Sequence, residues 1–496
     1  MPVRCAPTMA VIDRARIPDV VEAARAAVGE AWVIADPVQL RAYECDGLTG
    51  HRVPPGAVVL PASTAEVAAV VRACHAAGVP FVARGAGTGL SGGALPTADG
   101  IVIGLQRMRT ILDVDLEDGL VTVEPGVTNL AITEAVSPHG FYYAPDPSSQ
   151  SACTIGGNVA ENSGGAHCLK YGFTTHHVHA ATVVLPDGTI ATFGSRNPDT
   201  PGYDLLGLLI GSEGTLGIVT ELVVGVLPKP EHVETVFATF PSTGDGGEAV
   251  SAIIAEGVVP AAVEMMDRLA IEGARSVTGA DWDAAAALIV ELDGPIDEVR
   301  SQLAAVVEIC ERHHADAVHV AADDHERAEI WRARKSAFPA MGKLAPSYYV
   351  QDGVIPRTKL PEVLRDIQAL EEEFGLRVAN VFHAGDGNLH PLVLYDEAVE
   401  GETARAEALA TRIIEICVDH GGSITGEHGV GRDKVCSMPR MFDGADLSAF
   451  DRVRAAFDPD GLCNPEKLLP TPRLCGEVPG FYRRHPLERA GLGERL

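Results

Sequence analysis

Arg84-Gly85-Ala86-Gly87-Thr88-Gly89-Leu90-Ser91-Gly92-Gly93 follows an apolar run and contains a literal GxGxxG at Gly87, Gly89 and Gly92. A dinucleotide-binding unit needs such a loop to open directly into a long helix whose first turn faces the pyrophosphate. Here the chain continues through Ala94-Leu95-Pro96-Thr97-Ala98-Asp99-Gly100 into another β-branched run, so that reading loses its necessary element. Five glycines in nine residues still let successive backbone N–H groups close around a diphosphate, with Arg84 adding charge and Thr88 and Ser91 adding hydroxyl donors. A flexible surface turn is the plain alternative for this segment taken alone.

Two more glycine loops follow. The stretch from Pro145 to Gly165 brackets a short apolar piece between Gly156-Gly157 and Gly164-Gly165, and Gly211-Ser212-Glu213-Gly214-Thr215-Leu216-Gly217 precedes the run Leu216 to Val226. Three such loops suggest an extended ligand laid across one face of a domain. Around them the pattern is α/β. Val58 to Leu60 reads as a strand, Ser63 and Glu66 as a capping box, Val67, Val70, Val71 and Cys74 as one helix face, and Gly78 as its stop. Further strands are expected at Val79 to Ala83, Ile101 to Leu105, Leu120 to Val123 and Ala180 to Leu185. Leu227-Pro228-Lys229-Pro230 cannot continue a central ladder and marks a boundary near residue 230. Beyond it, Leu360, Val363, Leu364 and Ile367, and Leu409, Ile413, Ile416 and Cys417, are helical packing stripes. The proline-rich last forty residues are expected to wrap over the surface.

At 496 residues, two or three domains are expected, and 46% hydrophobic against 22% charged residues provides their core. The net charge of -29 argues against nucleic acid, and an anionic ligand would need a local cationic or metal cluster to hold it. Ten cysteines without a CxxC pair read as reduced, individually placed thiols that form neither an iron-sulfur nor a structural zinc site. Without a long apolar run or an export leader, the expectation is a cytoplasmic chain, with peripheral attachment to the inner face of the membrane compatible with it.

The chemistry-bearing pattern lies in the second half. Val381-Phe382-His383-Ala384-Gly385-Asp386-Gly387-Asn388-Leu389-His390 presents two histidines seven positions apart, and Gly422-Ser423-Ile424-Thr425-Gly426-Glu427-His428-Gly429-Val430-Gly431 adds a carboxylate and a third imidazole. Two imidazole nitrogens and one carboxylate oxygen would leave open positions on a divalent metal. His383 as an ordinary sheet-edge histidine is the alternative. Trp331-Arg332-Ala333-Arg334-Lys335 offers a basic group of the kind an anionic ligand would need in this acidic chain, although Arg332 and Lys335 also suit a solvent-facing helix.

In their order and spacing, the three glycine loops resemble the PCMH-type FAD-binding domain of the vanillyl-alcohol oxidase superfamily. The chain is similar, over roughly residues 40 to 470, to the FAD-linked oxidase group that includes the FAD-linked subunit of glycolate oxidase, D-lactate dehydrogenases and D-2-hydroxyglutarate dehydrogenase. The resemblance implies an α+β fold. Residues 1–40 would be a helical segment, 41–230 a PCMH-type two-part FAD-binding domain, 231–455 a substrate or cap domain with an antiparallel sheet and helices, and 456–496 a segment returning to the FAD domain before a surface tail.

By the same resemblance, Arg84, Gly85, Gly87, Thr88, Gly89, Leu90, Ser91 and Gly92 cradle the FAD pyrophosphate. Pro145, Ser149, Cys153, Thr154, Gly156, Gly157 and Asn158 line the cofactor, Gly164 and Gly165 continue that wall, Glu213, Gly214 and Ile218 support the adenine half, and Asn464 returns toward the flavin. No histidine stands in the first loop, so FAD is expected to be non-covalent. His383, His390 and Glu427 match metal ligands, for Zn, Mn or Fe, while His428 matches a catalytic base, Arg334 a clamp for the substrate carboxylate and Asn388 a substrate-binding amide.

The implied activity is oxidation of a small D-2-hydroxy acid. The segment Pro346 to Pro356 looks most like the glycolate oxidase version and lacks a lysine for a second carboxylate. That leaves glycolate and D-lactate level and places D-2-hydroxyglutarate behind them. A sugar-lactone or phenol oxidase and a non-catalytic FAD-binding subunit are the competing possibilities. Implied partners are a separate electron acceptor (a quinone-linked partner, electron-transferring flavoprotein, a cytochrome or an iron-sulfur subunit) and a second copy in a homodimer.

Overall fold

The computed structural model describes residues 16–197, 201–280 and 282–470. The tail expected to wrap over the surface falls largely outside them, at 471–496. A small sheet comes first. Phe81–Arg84 and Ala57–Val59 flank Ile101–Gly104 in parallel, and Val33–Ile34 adds an antiparallel edge. The crossover helix Thr64–Ala77 starts at Ser63, whose hydroxyl accepts from the Glu66 N–H at 3.2 Å, and stops at left-handed Gly78. Its expected capping box is displaced by one residue, because the Glu66 carboxylate accepts from the Ala62 N–H at 2.7 Å rather than from Ser63. Val67, Val70, Val71 and Cys74 are buried as their spacing requires.

A second sheet, wholly antiparallel, runs in the order Ile111–Asp115, Leu120–Val123, Ile218–Gly225, Val178–Val184, Ile190–Gly194. The two outer strands were not visible in the sequence pattern, because each carries exposed positions on the solvent side of a sheet edge. The first glycine loop leaves the small sheet at Arg84 and returns to it at Ile101 with no intervening helix. Leu227–Pro228 pairs only with the two residues Phe141–Tyr142, a short ribbon outside both sheets.

The second half is one large antiparallel sheet in which Ala317–Val320, His232–Phe240, Ala286–Gly294, Ala262–Asp267 and Arg377–His383 are successive neighbours. One face is packed by the stripes of Leu360–Phe374 and Glu402–Asp419, whose Leu360, Val363, Ile367, Leu409, Ile413 and Cys417 are buried in the main core. Toward the other face lie Arg268–Thr278 and Asp324–Ala340. Cys463 forms a parallel bridge with Phe81, and Asn464 N donates to the Phe81 carbonyl at 2.8 Å, so the end of the described chain is stitched to the first sheet. Cys74, Cys153, Cys168, Cys310, Cys417 and Cys463 are buried free thiols.

The compartment expected from composition, cytoplasmic with peripheral attachment to the inner face of the membrane compatible with it, does not stand. Among the described residues no helix is long and apolar enough to cross a membrane. The chain's location is therefore not assigned.

Candidate active site

The three glycine loops meet the second half at a cleft of about 410 Å³. From the first loop, Arg84, Gly85, Gly87, Thr88, Gly89 and Leu90 line it. Gly87 has φ +73°, and a Cβ there would fall 2.2 Å from the Arg84 guanidinium, so only glycine lets the arginine fold along its own loop. Ser91 and Gly92 do not line the cleft. The Ser91 carbonyl accepts from Arg432 N at 2.9 Å, and Gly92 lies against Arg432, so they tie the loop to the chain just after the Gly422 to Gly431 motif.

From the second loop, Ser149, Cys153, Thr154, Gly156, Gly157 and Asn158 line the cleft. Pro145 stands outside it, its carbonyl accepting from Asn129 Nδ2 at 3.0 Å. Gly164 and Gly165 also stand outside. A Cβ at Gly164 would lie 2.8 Å from Glu427 Oε2, which brings this loop into contact with the candidate metal ligands. Glu213, Gly214, Ile218 and Asn464 complete the wall, with Asn464 Nδ2 donating to the carbonyls of Gly93 at 2.9 Å and Glu213 at 2.6 Å.

Arg334, His390, Glu427 and His428 open onto the same cleft. His390 Nε2 lies 3.2 Å from Glu427 Oε1, and His383 Nε2 lies 3.4 Å from that oxygen. These three ligand atoms fall within 4.8 Å of one another. On its far side, His383 Nδ1 meets Glu264 Oε1 at 2.6 Å, which commits that nitrogen and directs Nε2 to the cluster. His383 and Asn388 are buried without lining the cleft, and Asn388 packs against Gly426. Asn388 therefore touches the Glu427 loop at Gly426, and its Oδ1 is buried without a hydrogen-bond partner.

Asp352, unassigned from the sequence, organises that loop. Its fully buried carboxylate accepts from Thr425 Oγ1 at 2.5 Å and from the N–H groups of Gly426 at 3.0 Å and His428 at 2.9 Å. Asp352, His390 and His428 form a second group of ligand atoms within the same spacing. Because the Asp352 oxygens already accept several donors, the set His383, His390, Glu427 is the better cation site.

Burial alone would raise the Glu427 carboxyl, but His383 and His390 outweigh it and hold it well below the usual range. Burial disfavours charge on His383, yet Glu264 and Glu427 hold it well above the ordinary histidine value. His428 differs. Burial pushes it down to about 4, with Asp352 only partly opposing, so it is a neutral base at neutral pH. It stacks on His390 with ring centroids 4.8 Å apart and planes at 12°.

Both implied groups fit these residues. Arg84 Nη1 and Thr154 Oγ1 are buried beside the glycine cradle without hydrogen-bond partners, as expected of groups meant for a phosphate-bearing cofactor. His390 Nε2 is likewise buried without one, amid carboxylates that favour a cation. Glu264 and Asp352 were missed because a carboxylate within an apolar strand or beside a turn looks ordinary.

Residues 229–468 match the family model described as FAD linked oxidases, C-terminal domain, and residues 55–194 match that of an FAD binding domain. The chain is 50% identical over 445 residues to glycolate oxidase subunit GlcD of Escherichia coli (strain K12), covering 89% of each chain. It is 38% identical over 431 residues to glycolate oxidase subunit GlcD of Bacillus subtilis (strain 168), covering 86% of this chain and 92% of that one. A mitochondrial D-lactate dehydrogenase [cytochrome] of Arabidopsis thaliana is 30% identical over 424 residues, with 85% and 74% covered. Among solved structures, p-cresol methylhydroxylase shares the fold with TM-score 0.78 and 18% identity, over 92% of this chain and 97% of that one.

Proposed function

The chain belongs to the FAD-linked oxidase family, in its glycolate oxidase and D-lactate dehydrogenase group, and on that footing we propose that it oxidises the alcohol carbon of a small D-2-hydroxy acid, glycolate or D-lactate, to the 2-oxo acid. It is an FAD-dependent oxidoreductase related to the 2-hydroxy acid dehydrogenases. The observation that carries the substrate class is the opening of Arg334, His390, Glu427 and His428 onto the cleft lined by the glycine loops.

Bound FAD supplies the hydride acceptor. A divalent cation, Zn, Mn or Fe, held by His383, His390 and Glu427, would supply Lewis acidity that lowers the pKa of the substrate hydroxyl. Arg334 is 5% exposed and pairs with Glu264 on one side, while its Nε has no hydrogen-bond partner, so its remaining N–H groups can take the substrate carboxylate. His428, neutral and stacked on His390, receives the hydroxyl proton. Asn388 packs against the loop carrying Glu427 and His428 at Gly426. Electrons leave to a separate acceptor, for which a quinone-linked partner, electron-transferring flavoprotein, a cytochrome or an iron-sulfur subunit are the candidates.

Lys335 also lines the cleft and favours a second carboxylate, as in D-2-hydroxyglutarate. An anaerobic screen with glycolate, D-lactate, L-lactate and D-2-hydroxyglutarate, with divalent metal present, decides. Loss of the oxidised-flavin absorbance with glycolate or D-lactate supports the reading. Bleaching by D-2-hydroxyglutarate alone favours that second substrate, and a flavin that none of the four bleaches refutes the reading and leaves a sugar-lactone or phenol oxidase or a non-catalytic FAD-binding subunit.

A further inference from the structure

Glu264 lies on Ala262–Asp267, where alternation turns Val263 and Met265 into the main core and Glu264 and Met266 toward the opposite face. It is the direct cross-strand partner of His383. It is 1% exposed, and its two oxygens have different partners: Oε1 meets His383 Nδ1 at 2.6 Å, and Oε2 pairs with Arg334 Nη2. Arg334 reaches it from Asp324–Ala340, a helix that packs on the face of the sheet toward which Glu264 points. Burial would raise this carboxyl, but Arg334 and His383 hold it below the ordinary range.

We infer that Glu264 is a positioning residue shared by two functions, fixing the metal-facing nitrogen of His383 through one oxygen and the guanidinium plane of Arg334 through the other. This rests on the metal and substrate roles proposed above. A carboxylate committed to an imidazole N–H sets the tautomer and the ring orientation of a ligand. A carboxylate committed to one edge of a guanidinium leaves the other edge for an incoming anion and restrains its swing. One rigid strand position thereby sets the separation between the cation and the anion clamp. A carboxylate serving only packing would not need both oxygens placed on functional groups of two different elements.

The test uses FAD-loaded protein and two binding readouts. One is Zn²⁺ affinity by chelator competition. The other is the midpoint of the flavin absorbance change with pyruvate, which carries the carboxylate but no oxidisable hydroxyl. Glu264→Gln should keep its FAD, weaken Zn²⁺ binding by about 10–100-fold and raise the pyruvate midpoint by about tenfold. Arg334→Gln should raise the pyruvate midpoint alone, and the double variant should raise it no further than Arg334→Gln does. Should Glu264→Gln not fold, Glu264→Asp, one methylene too short to reach both partners, carries the same expectations. Unchanged values, or a change in one readout only, overturn the shared role. If the wild-type protein binds none of Zn²⁺, Mn²⁺ and Fe²⁺, the metal reading of the site fails instead, and the pyruvate arm, repeated without metal, still decides whether Glu264 positions Arg334.

Discussion

Trp331 Nε1 donates to Glu291 Oε2 at 2.6 Å, and the same indole stacks on His167 with ring centroids 5.7 Å apart. Trp331 and Arg327 lie on the helix that carries Arg334, whereas His167 belongs to the FAD-binding half, where its Nδ1 meets Asp146 Oδ2 at 2.8 Å. Glu291 also accepts from Arg327 at 2.9 and 3.0 Å and from His167 at 3.1 Å. One buried carboxylate therefore joins the two halves beside the helix that carries Arg334.

Replacing Glu291 by Gln leaves Arg327 and His167 short of their counter-charge. Burial opposes charge on His167, but Asp146 and Glu291 together raise it to about 10, so it is charged in the folded protein. The variant should lose about 3 kcal/mol, the low end for a broken buried pair because Arg327 is partly in solvent. Denaturant unfolding with FAD bound checks this, and an unchanged midpoint would show that the network contributes nothing.

Arg334→Lys keeps the charge and loses the fork. A point charge cannot hold Glu264 and a carboxylate in one plane. The expected outcome is a KM for glycolate or D-lactate raised by about tenfold or more with FAD content intact. A KM equal to that of the wild type would remove Arg334 from the substrate.

His428→Ala should retain FAD and metal while flavin reduction slows by about 100- to 10,000-fold. The pH dependence has a definite sign. Burial lowers His428 from 6.5 to about 4, so the free base persists as pH falls through 6.5, and its contribution to the rate is lost only on approaching 4. An acid limb of the flavin-reduction rate centred near 6.5, present in the wild type and absent from the variant, would be inconsistent with this environment.

Much of the first half was legible because glycine loops and strand termini are local signals. The loop from Arg84 was separable from a dinucleotide fold because it runs on to Ile101–Gly104 without a helix. The edge strands Ile111–Asp115 and Ile190–Gly194 were not legible, since exposure on a sheet edge removes the apolar alternation that announces a strand. In the site, His383, His390, Glu427 and His428 stand in two compact motifs and could be named from sequence. The partner across a sheet, by contrast, has no local signature. Glu264 lies 119 positions from His383, and Asp352 lies 76 from His428.

FAD should be held without a covalent bond, because the first glycine loop, Arg84 to Gly93, contains no histidine. Acid precipitation should release all the yellow chromophore into the supernatant. Pigment retained on the pellet after washing would point to a covalent link elsewhere in the cleft.

The most direct test of one cation and one flavin working in a single cleft is anaerobic mixing of chelator-treated, fully flavinated protein with its best substrate, before and after metal is restored. The oxidised-flavin band should persist until Zn²⁺, Mn²⁺ or Fe²⁺ is added and then disappear. Complete bleaching by protein verified to be metal-free would contradict the account.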